Sequence, residues 1–204
     1  MMPDPESQSR KLICFPIVHN LADMGELSES VKKASLSKIG RAGCKRKLDL
    51  VDKFWTEVEK AIEDLPICVD RVRIYQDGLP VSGKETAIVE ELAKSGSRNH
   101  ALLLRLIEQG AQIMGTESLE LLLEEYELAK RGLGSRESKT RKERERAASV
   151  SLLERRDKFI AQRINETLRP GEVGMIFLGM LHCLEPWLEK DIQVVYPLHR
   201  AARS

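Results

Sequence analysis

The sequence has few aromatic residues and no paired cysteines, and each absence excludes a class of protein. Phe, Trp and Tyr make up 4% of the 204 residues, which is too few for the base-stacking platforms of single-strand nucleic-acid binders. The four cysteines, Cys14, Cys44, Cys68 and Cys183, are scattered and form no CxxC pair. The sequence therefore indicates neither a zinc knuckle nor a disulfide framework, and we expect reduced thiols in a cytoplasmic protein.

The chain also lacks a charge excess and a long apolar run. Its 33 Lys and Arg against 32 Asp and Glu give a formal charge of +1, so no global attraction to nucleic acid or to an anionic membrane is expected. No apolar stretch approaches the length that spans a bilayer. The first ten residues are polar, whereas a secretory signal has an apolar centre there. These features predict a soluble protein without a membrane partner.

The hydrophobic content of 42% is enough for a full core without disulfide or metal support. A chain of this length is typical of one domain. We expect a disordered tail over residues 1–10, a single domain over residues 11–198 and a short tail over residues 199–204.

Short apolar runs alternate with longer amphipathic ones, which predicts strands separated by helices. The predicted strands are 11–18, 68–75, 111–114, 172–178 and 192–196. The predicted helices are 28–38, 47–65, 85–94, 97–109, 118–131 and 136–168. Strands joined by helices need crossover connections, so the expected fold is α/β with a mostly parallel sheet flanked by helices. Pro16 favours an edge position or an early end for the first strand.

A strongly charged segment lies in the second half of the chain. Residues 130–146 contain eight Lys or Arg and three Glu. Basic stretches of this kind can bind nucleic acid, but the interleaved acids and the lack of aromatic residues make that partner unlikely here. We expect a protruding, solvated helical arm over about residues 130–150, or an arm that packs against a second copy of the chain.

Polar side chains follow four of the predicted strands. His19 comes after the first strand, Asp77 after the second, Glu117 after the third, and His182 after the strand near the C-terminus. In a parallel sheet the carboxyl ends of the strands share one edge, where ligands bind. Two imidazoles and two carboxylates suit either a divalent-metal site or a metal-free acid/base pair.

Each of these residues also has an ordinary structural interpretation. A histidine at a strand end often makes structural hydrogen bonds, Asp77 precedes Gly78 in an ordinary turn dipeptide, and Glu117 could favour a helix N-terminus. In the metal-site interpretation the ligands are His19, His182, Asp77 and Asp23, and the metal is manganese, cobalt or zinc. Asp23 could also orient an imidazole or cap its own loop.

The C-terminal motifs resemble those of a known superfamily. The segment from Arg155 to Ile164, RRDKFIAQRI, is followed by GEVGMIFLGMLH from Gly171 to His182. This Arg-Asp helix, strand and GxxH looks like the closing motif of the TraB/ChaN/erythromycin-esterase-like superfamily, whose members also carry a histidine after the first strand. This chain has Pro-x-x-His at His19 instead of GxxH, and Glu29 and Glu117 both compete for the early glutamate of the superfamily.

Members of the superfamily include metal-dependent proteases, metal-free esterases and many proteins of unknown activity, so the resemblance implies a site more strongly than a substrate, and a hydrolase is the activity we expect. The resemblance implies His19, His182, Glu117 and Arg156 as catalytic residues that act on an ester or peptide substrate. Arg156 could bind an anionic group or stabilise an oxyanion, or it could pair structurally with a carboxylate. The alternative is a non-enzymatic protein that uses the same scaffold to bind a small ligand or a protein partner.

Overall fold

A computed structural model describes residues 9–18, 28–132 and 139–198. Within these residues the chain forms a five-stranded sheet and five α-helices, which confirms the predicted α/β fold. The strands are β1 (Arg10–Ile17), β2 (Val72–Gln76), β3 (Gln112–Met114), β4 (Val173–Gly179) and β5 (Ile192–Val195). The helices are α1 (Ser28–Glu63), α2 (Glu85–Lys94), α3 (Arg98–Glu108), α4 (Leu119–Gly132) and α5 (Lys139–Thr167).

All strand pairings in the sheet are parallel, and the strand order is β3-β2-β4-β1-β5. The central strand β4 therefore lies between β2 and β1, and its residue Ile176 is opposite both Cys14 and Tyr75. Because the strands are parallel, their carboxyl ends lie along one edge, called here the carboxyl edge. The opposite edge is the amino edge.

Helices cover both faces of the sheet, so the strands are apolar on both sides, as parallel strands usually are. On one face Ile13, Phe15 and Phe177 pack with Trp55 of α1 and Leu103 of α3. On the other face the sheet packs against α5. That second core contains Leu12, Cys14, Tyr75, Ile160, Ile164 and Ile176.

Helices α1 and α5 are longer than the sheet is tall, and both extend past the carboxyl edge. Arg98, at the start of α3, pairs with Asp52 and Glu59 of α1 at 2.5 and 2.9 Å. Residues of α1 that precede Asp52 therefore lie beyond the N-terminal end of α3, on the side of the carboxyl edge. Similarly, α5 reaches the carboxyl edge at Arg156 and ends at Thr167 beside Tyr75.

Most predicted elements agree with the structure, and the differences have physical reasons. Residues 28–63 form two helical segments that meet at a kink at Gly40, so the structure has the two predicted helices, but the second begins directly after Gly40 and not at residue 47. Gly40 interrupts α1 with a φ of 67°, a conformation that glycine adopts without strain, and the helix resumes directly after it. The predicted strand at residue 68 begins instead with a short 3₁₀ turn over Val69–Arg71.

The position of β1 also differs from the expectation for Pro16, because β1 is an inner strand. Its pairing with β5 ends at Ile13, whereas its pairing with β4 continues to Ile17. Pro16 therefore lies beyond the last residue that pairs with β5, where its missing N–H leaves no ladder bond unmade.

Two further expectations concern the ends of the chain and membranes. The predicted tails fall almost wholly on residues 1–8 and 199–204, which lie outside the described residues. None of the described helices combines the length and the apolar character required to cross a bilayer.

Candidate functional site

A cluster of charged side chains lies under the carboxyl edge of β2 and β4. It consists of Asp77, Glu117, Arg156, Asp157 and His182, and none of these side chains is more than 8% exposed. So much buried charge is unusual, because a charged group loses its hydration on burial and needs close partners.

The turn after β2, helix α5 and the turn after β4 bring four of these residues together. Asp77 directly follows β2, and Gly78, with a φ of 78°, turns the chain after it. Helix α5 supplies Arg156 and Asp157 from the neighbouring layer, and the turn after β4 supplies His182. The His182 N–H donates to the carbonyl of Gly179 at 3.2 Å, which closes that turn.

Glu117 is held by its own backbone rather than by a helix. Its N–H donates to the carbonyl of Leu79, and its carbonyl accepts from the N–H of Val81. This pairing brings the chain so close to Gly115 that a Cβ at residue 115 would lie 2.6 Å from the Val81 Cα. Gly115 therefore permits the close approach of the backbone at Val81.

The Arg156 guanidinium binds three carboxylates. Its Nη2 donates to Asp77 at 2.7 Å and to Glu117 at 2.5 Å, and its Nε donates to the second Glu117 oxygen at 3.1 Å. Its Nη1 donates to the half-exposed Glu125 at 2.6 Å. Such a planar fork fixes the orientation of the carboxylates it binds.

The His182 imidazole lies between the carboxylates of Asp157 and Asp77. Its Nδ1 is 2.5 Å from Asp157 Oδ1, and its Nε2 is 3.4 Å from Asp77 Oδ2. Asp157 also accepts the Cys183 N–H at 3.0 Å, and Asp77 accepts the Gly179 N–H at 3.0 Å. The ring orientation is therefore fixed by groups that are themselves held by backbone.

The pKa values of the cluster follow from these contacts. Burial lowers the pKa of His182, but the hydrogen bonds to Asp157 and Asp77 outweigh it and raise the pKa to about 9. Burial raises the pKa of Asp77, but the contacts with His182 and Arg156 hold it well below its usual range. For Glu117 burial is the larger effect, so its pKa lies above the ordinary value despite Arg156.

The cluster carries more negative than positive charge. Asp77, Glu117 and Asp157 supply three buried carboxylates, whereas Arg156 is the only group among these five with a permanent positive charge. A proton on His182 reduces the imbalance but leaves one carboxylate uncompensated. The site therefore favours an additional proton or a bound cation.

The structure brings four of the predicted site residues together, namely Asp77, Glu117, Arg156 and His182. His19 and Asp23 lie outside the described residues, as does any contact between them and this cluster. Glu29 lies in the first turn of α1. His182 is buried, and its ring lies between the carboxylates of Asp157 and Asp77.

The sequence did not identify Glu125 as a partner of Arg156. It also did not identify the pairing of Asp157 with His182. From Asp157 to the end of α5 the helix rises about 15 Å, and the seven residues of β4 span about 23 Å at about 3.3 Å per residue, so each element covers most of the distance between the amino edge and the carboxyl edge. Since the two elements run in opposite directions, Asp157 and His182 lie at the same edge of the sheet.

Three residues of the cluster have the donor atoms that a divalent cation requires. Asp77, Glu117 and His182 each offer one ligand atom, and these atoms lie within 4.8 Å of one another. Two carboxylates and one imidazole suit manganese, cobalt or zinc. In that arrangement Asp157 would hold the remote nitrogen of the ligating ring, as carboxylates commonly do around metal sites.

An apolar cleft adjoins His182 on the side towards β1 and β5. Its lining includes His182, Phe15, Pro16, Leu178, Leu188 and Val194. Glu185 and Tyr196, which are hydrogen bonded to each other, lie at the same cleft. A buried polar group beside an apolar cleft is the usual composition of a small-molecule site.

Comparison with known proteins does not assign the chain to a family, because no family model, curated protein or solved structure matches it.

Proposed function

We propose that this protein is a hydrolase of ester or peptide bonds and that His182 transfers the proton. The observation that carries this proposal is the position of the His182 imidazole. Its Nδ1 is held by Asp157, and its Nε2 faces Asp77 at the carboxyl edge of a parallel sheet. A histidine anchored through one nitrogen and directed by the other is suited to general acid/base catalysis.

A purely structural histidine would not need these surroundings. His100 provides the comparison, because it is also buried but its Nδ1 contacts the neutral hydroxyl of Ser97 at 2.7 Å. His182 instead contacts two carboxylates, in a cluster with a third carboxylate beneath it. Buried charge of this kind often marks a functional site.

The adjacent cleft has a volume of about 40 Å³ and an apolar lining, so it supports a small, uncharged apolar group as the part of the substrate next to His182. Burial of such a group against Leu178, Leu188 and Val194 would be favourable by about 25 cal/mol per Å² of apolar area. A charged group in the same place would lose hydration without a counter-charge.

In the proposed reaction His182 donates one proton and later accepts another, so it ends in its starting protonation state. The oxygen of a water molecule forms a bond to the substrate carbonyl carbon, and the bond from that carbon to the leaving oxygen or nitrogen breaks. Protonated His182 donates its Nε2 proton to the leaving group. The neutral imidazole then takes a proton from the added water, which restores the imidazolium.

Asp157 and Arg156 have positioning roles in this reaction. Asp157 fixes the His182 ring through Nδ1 and stabilises its protonated form. Arg156 holds Asp77 and Glu117, and all its nitrogens already bind carboxylates. We therefore assign Arg156 to the organisation of the site rather than to an oxyanion.

The same residues fit a divalent cation, as the excess of buried negative charge indicates. Asp77, Glu117 and His182 would hold it, and a bound ion would lower the pKa of a bound water and polarise a carbonyl. Manganese, cobalt or zinc would suit these donors. His182 must then bind as the neutral ring, with its remaining proton directed to Asp157.

The test is turnover of small acyl esters and short peptides by purified protein, with and without added divalent metal. We expect His182→Gln and Asp157→Asn each to lower kcat/KM by about 10²–10⁴-fold. His100→Gln is the matched control, because it removes a buried histidine from α3, on the opposite face of the sheet. Circular dichroism and thermal melting establish that each variant is folded.

Activity that is equal in folded wild type and folded His182→Gln would contradict the proposal. Activity that depends on added metal and disappears with chelator would assign the reaction to the metal-bound form. Stoichiometric binding of an ester analogue without turnover would support the alternative of a ligand-binding protein.

A further inference from the structure

The net charge of +1 conceals a strong separation of charge along the chain. Residues 28–53, which form the first part of α1, contain eight Lys or Arg and three Asp or Glu. Residues 119–127, which begin α4, contain four Glu and no basic residue. Two helical surfaces of opposite sign therefore lie on the same molecule.

Exposed basic residues lie on several sides of α1 beyond the carboxyl edge, and one of these sides also carries an exposed leucine. Arg41, Lys45 and Leu48 are spaced four and three residues apart, so they lie on the same side of the helix. All three are exposed, and the Leu48 side chain is 57% exposed. We call these three residues the α1 face.

The acidic surface also combines two charged residues with exposed leucine, and its charge is of the opposite sign. Leu119, Glu120, Leu123 and Glu127 share one side of α4 and are all exposed. We call these four residues the α4 face. The exposures of Leu119 and Leu123, 57% and 56%, match that of Leu48.

The cations of the α1 face differ from several arginines beside the sheet. Arg10, Arg73, Arg98 and Arg156 are each paired with carboxylates. Among the residues that the structure describes, Arg41 and Lys45 have no such partner, and neither do Glu120 and Glu127. The α1 face and the α4 face therefore carry unpaired charges of opposite sign beside exposed leucines, which makes the two faces complementary to each other.

We propose that the α1 face docks on the α4 face of a second copy of this chain. Within one copy, α1 packs on one face of the sheet and α4 adjoins α5 on the other, so both faces are exposed in the monomer. In a twofold dimer each copy contributes one α1 face and one α4 face, which gives two identical contacts. The opposite charges steer the helices together, and the three leucines become buried.

The charge separation favours a second copy over nucleic acid as the partner. A nucleic-acid surface would need the α1 cations alone, and it would leave the α4 face without a role. A second copy uses both faces, and it accounts for their similar size and opposite sign. The dimer proposal does not depend on the catalytic proposal, since neither face includes a residue of the charged cluster.

Charge reversal tests the proposal by sedimentation velocity at low salt. Arg41→Glu/Lys45→Glu makes both faces acidic, and Glu120→Lys/Glu127→Lys makes both faces basic. We expect wild type to be dimeric and each double variant to be monomeric. A mixture of the two variants should form a heterodimer, because each contact then joins opposite charges again.

Matched controls keep the same change in net charge at other exposed sites. Lys84→Glu/Lys190→Glu and Glu57→Lys/Glu91→Lys should remain dimeric. Raising the salt from about 50 mM to about 500 mM should increase the dimer dissociation constant of wild type about tenfold or more, since exposed charges are screened.

A wild-type protein that is monomeric at low salt and high concentration would overturn the proposal. A wild-type dimer that survives both charge reversals, or variants that do not recombine in the mixture, would also overturn it. If wild type stays monomeric but binds a DNA or RNA duplex, and Arg41→Glu/Lys45→Glu abolishes that binding, then nucleic acid is the partner instead.

Discussion

Strand β2 has an arginine–carboxylate pairing near each of its two ends, and the two ends differ in charge balance. Near the amino end Arg73 donates to the two oxygens of Glu172, with Nη2 at 2.9 Å, so one cation meets one anion. At the carboxyl end Arg156 meets Asp77 and Glu117, and Asp157 lies next to it. The first arrangement is explained by stability alone, whereas the second requires a further positive charge.

The carboxylates at the two ends of β2 also differ in their exposure to solvent. The Glu172 side chain is 21% exposed, and its contacts with Arg73 and the Arg169 N–H outweigh burial, so its pKa is lowered. The Glu117 side chain is fully buried, and its pKa is raised. An ion pair that serves structure keeps one partner near water, whereas the carboxyl-edge cluster excludes water from an uneven set of charges.

The largest expected effect comes from Arg156→Met. Asp77 and Glu117 would lose their common cation while still buried, so we expect the free energy of unfolding at pH 7 to fall by about 4 kcal/mol. Urea unfolding followed by circular dichroism measures this loss. The loss should shrink at lower pH, where Glu117 is protonated. Arg155→Met is the control, because Arg155 and Glu124 are both exposed and their pairing contributes little.

The pH dependence of the free energy of unfolding should show the contribution of His182 to stability. Its pKa rises from 6.5 in the unfolded chain to about 9 in the folded protein, so its contribution is full below pH 6.5 and is lost as the pH rises through 9. We expect about 3 kcal/mol of stability to disappear over this range in wild type. Unfolding of His182→Gln should depend much less on pH between these limits, and an equally steep decline in that variant would contradict the assignment.

A smaller effect is expected at the other end of β2. In Arg73→Met the partly exposed Glu172 can regain contact with water, so we predict a loss of about 1–2 kcal/mol in the free energy of unfolding. Turnover should remain unchanged, because Arg73 is remote from the carboxyl edge. A stability loss equal to that of Arg156→Met would remove the contrast between the two ends.

The smallest change in stability is expected for Gly179→Ala. A Cβ at residue 179 would lie 3.0 Å from Asp77 Oδ2, so the carboxylate must shift slightly. We expect less than about 1 kcal/mol of destabilisation. The shift weakens the contact between Asp77 and His182, so the His182 pKa should fall. Thermal unfolding and a histidine titration by NMR measure the two effects separately, and an unchanged pKa would argue against the contact.

The sequence was sufficient for most of the fold because the periodicity and the turn residues agree along most of the chain. Gly96 and Gly110, for example, both adopt positive φ where the sequence predicted that helices end. It was insufficient after Gly40, because the second helix begins directly after this glycine and not at residue 47. Residues 41–46 (RAGCKR) have no apolar stripe, so hydrophobic periodicity does not mark them as helical.

For the candidate site, the sequence identified residues that follow strands but not their pairings. Asp77, Glu117 and His182 could be found because the carboxyl ends of parallel strands share one edge. The contacts of Arg156 with three carboxylates depend on the rotation of α5 about its axis, which the sequence pattern specifies only coarsely. The pairing of Asp157 with His182 depends in addition on the relative lengths of α5 and β4.

The most direct test of the difference between the two ends of β2 is the titration of His182 by NMR in metal-free protein. The ring nitrogens can be assigned by comparison with His182→Gln. We predict that both nitrogens are protonated at pH 7, that the pKa is about 9, and that Asp157→Asn and Asp77→Asn each lower it. A His182 pKa at or below the ordinary value of 6.5, unchanged in both variants, would contradict the account of the carboxyl-edge cluster.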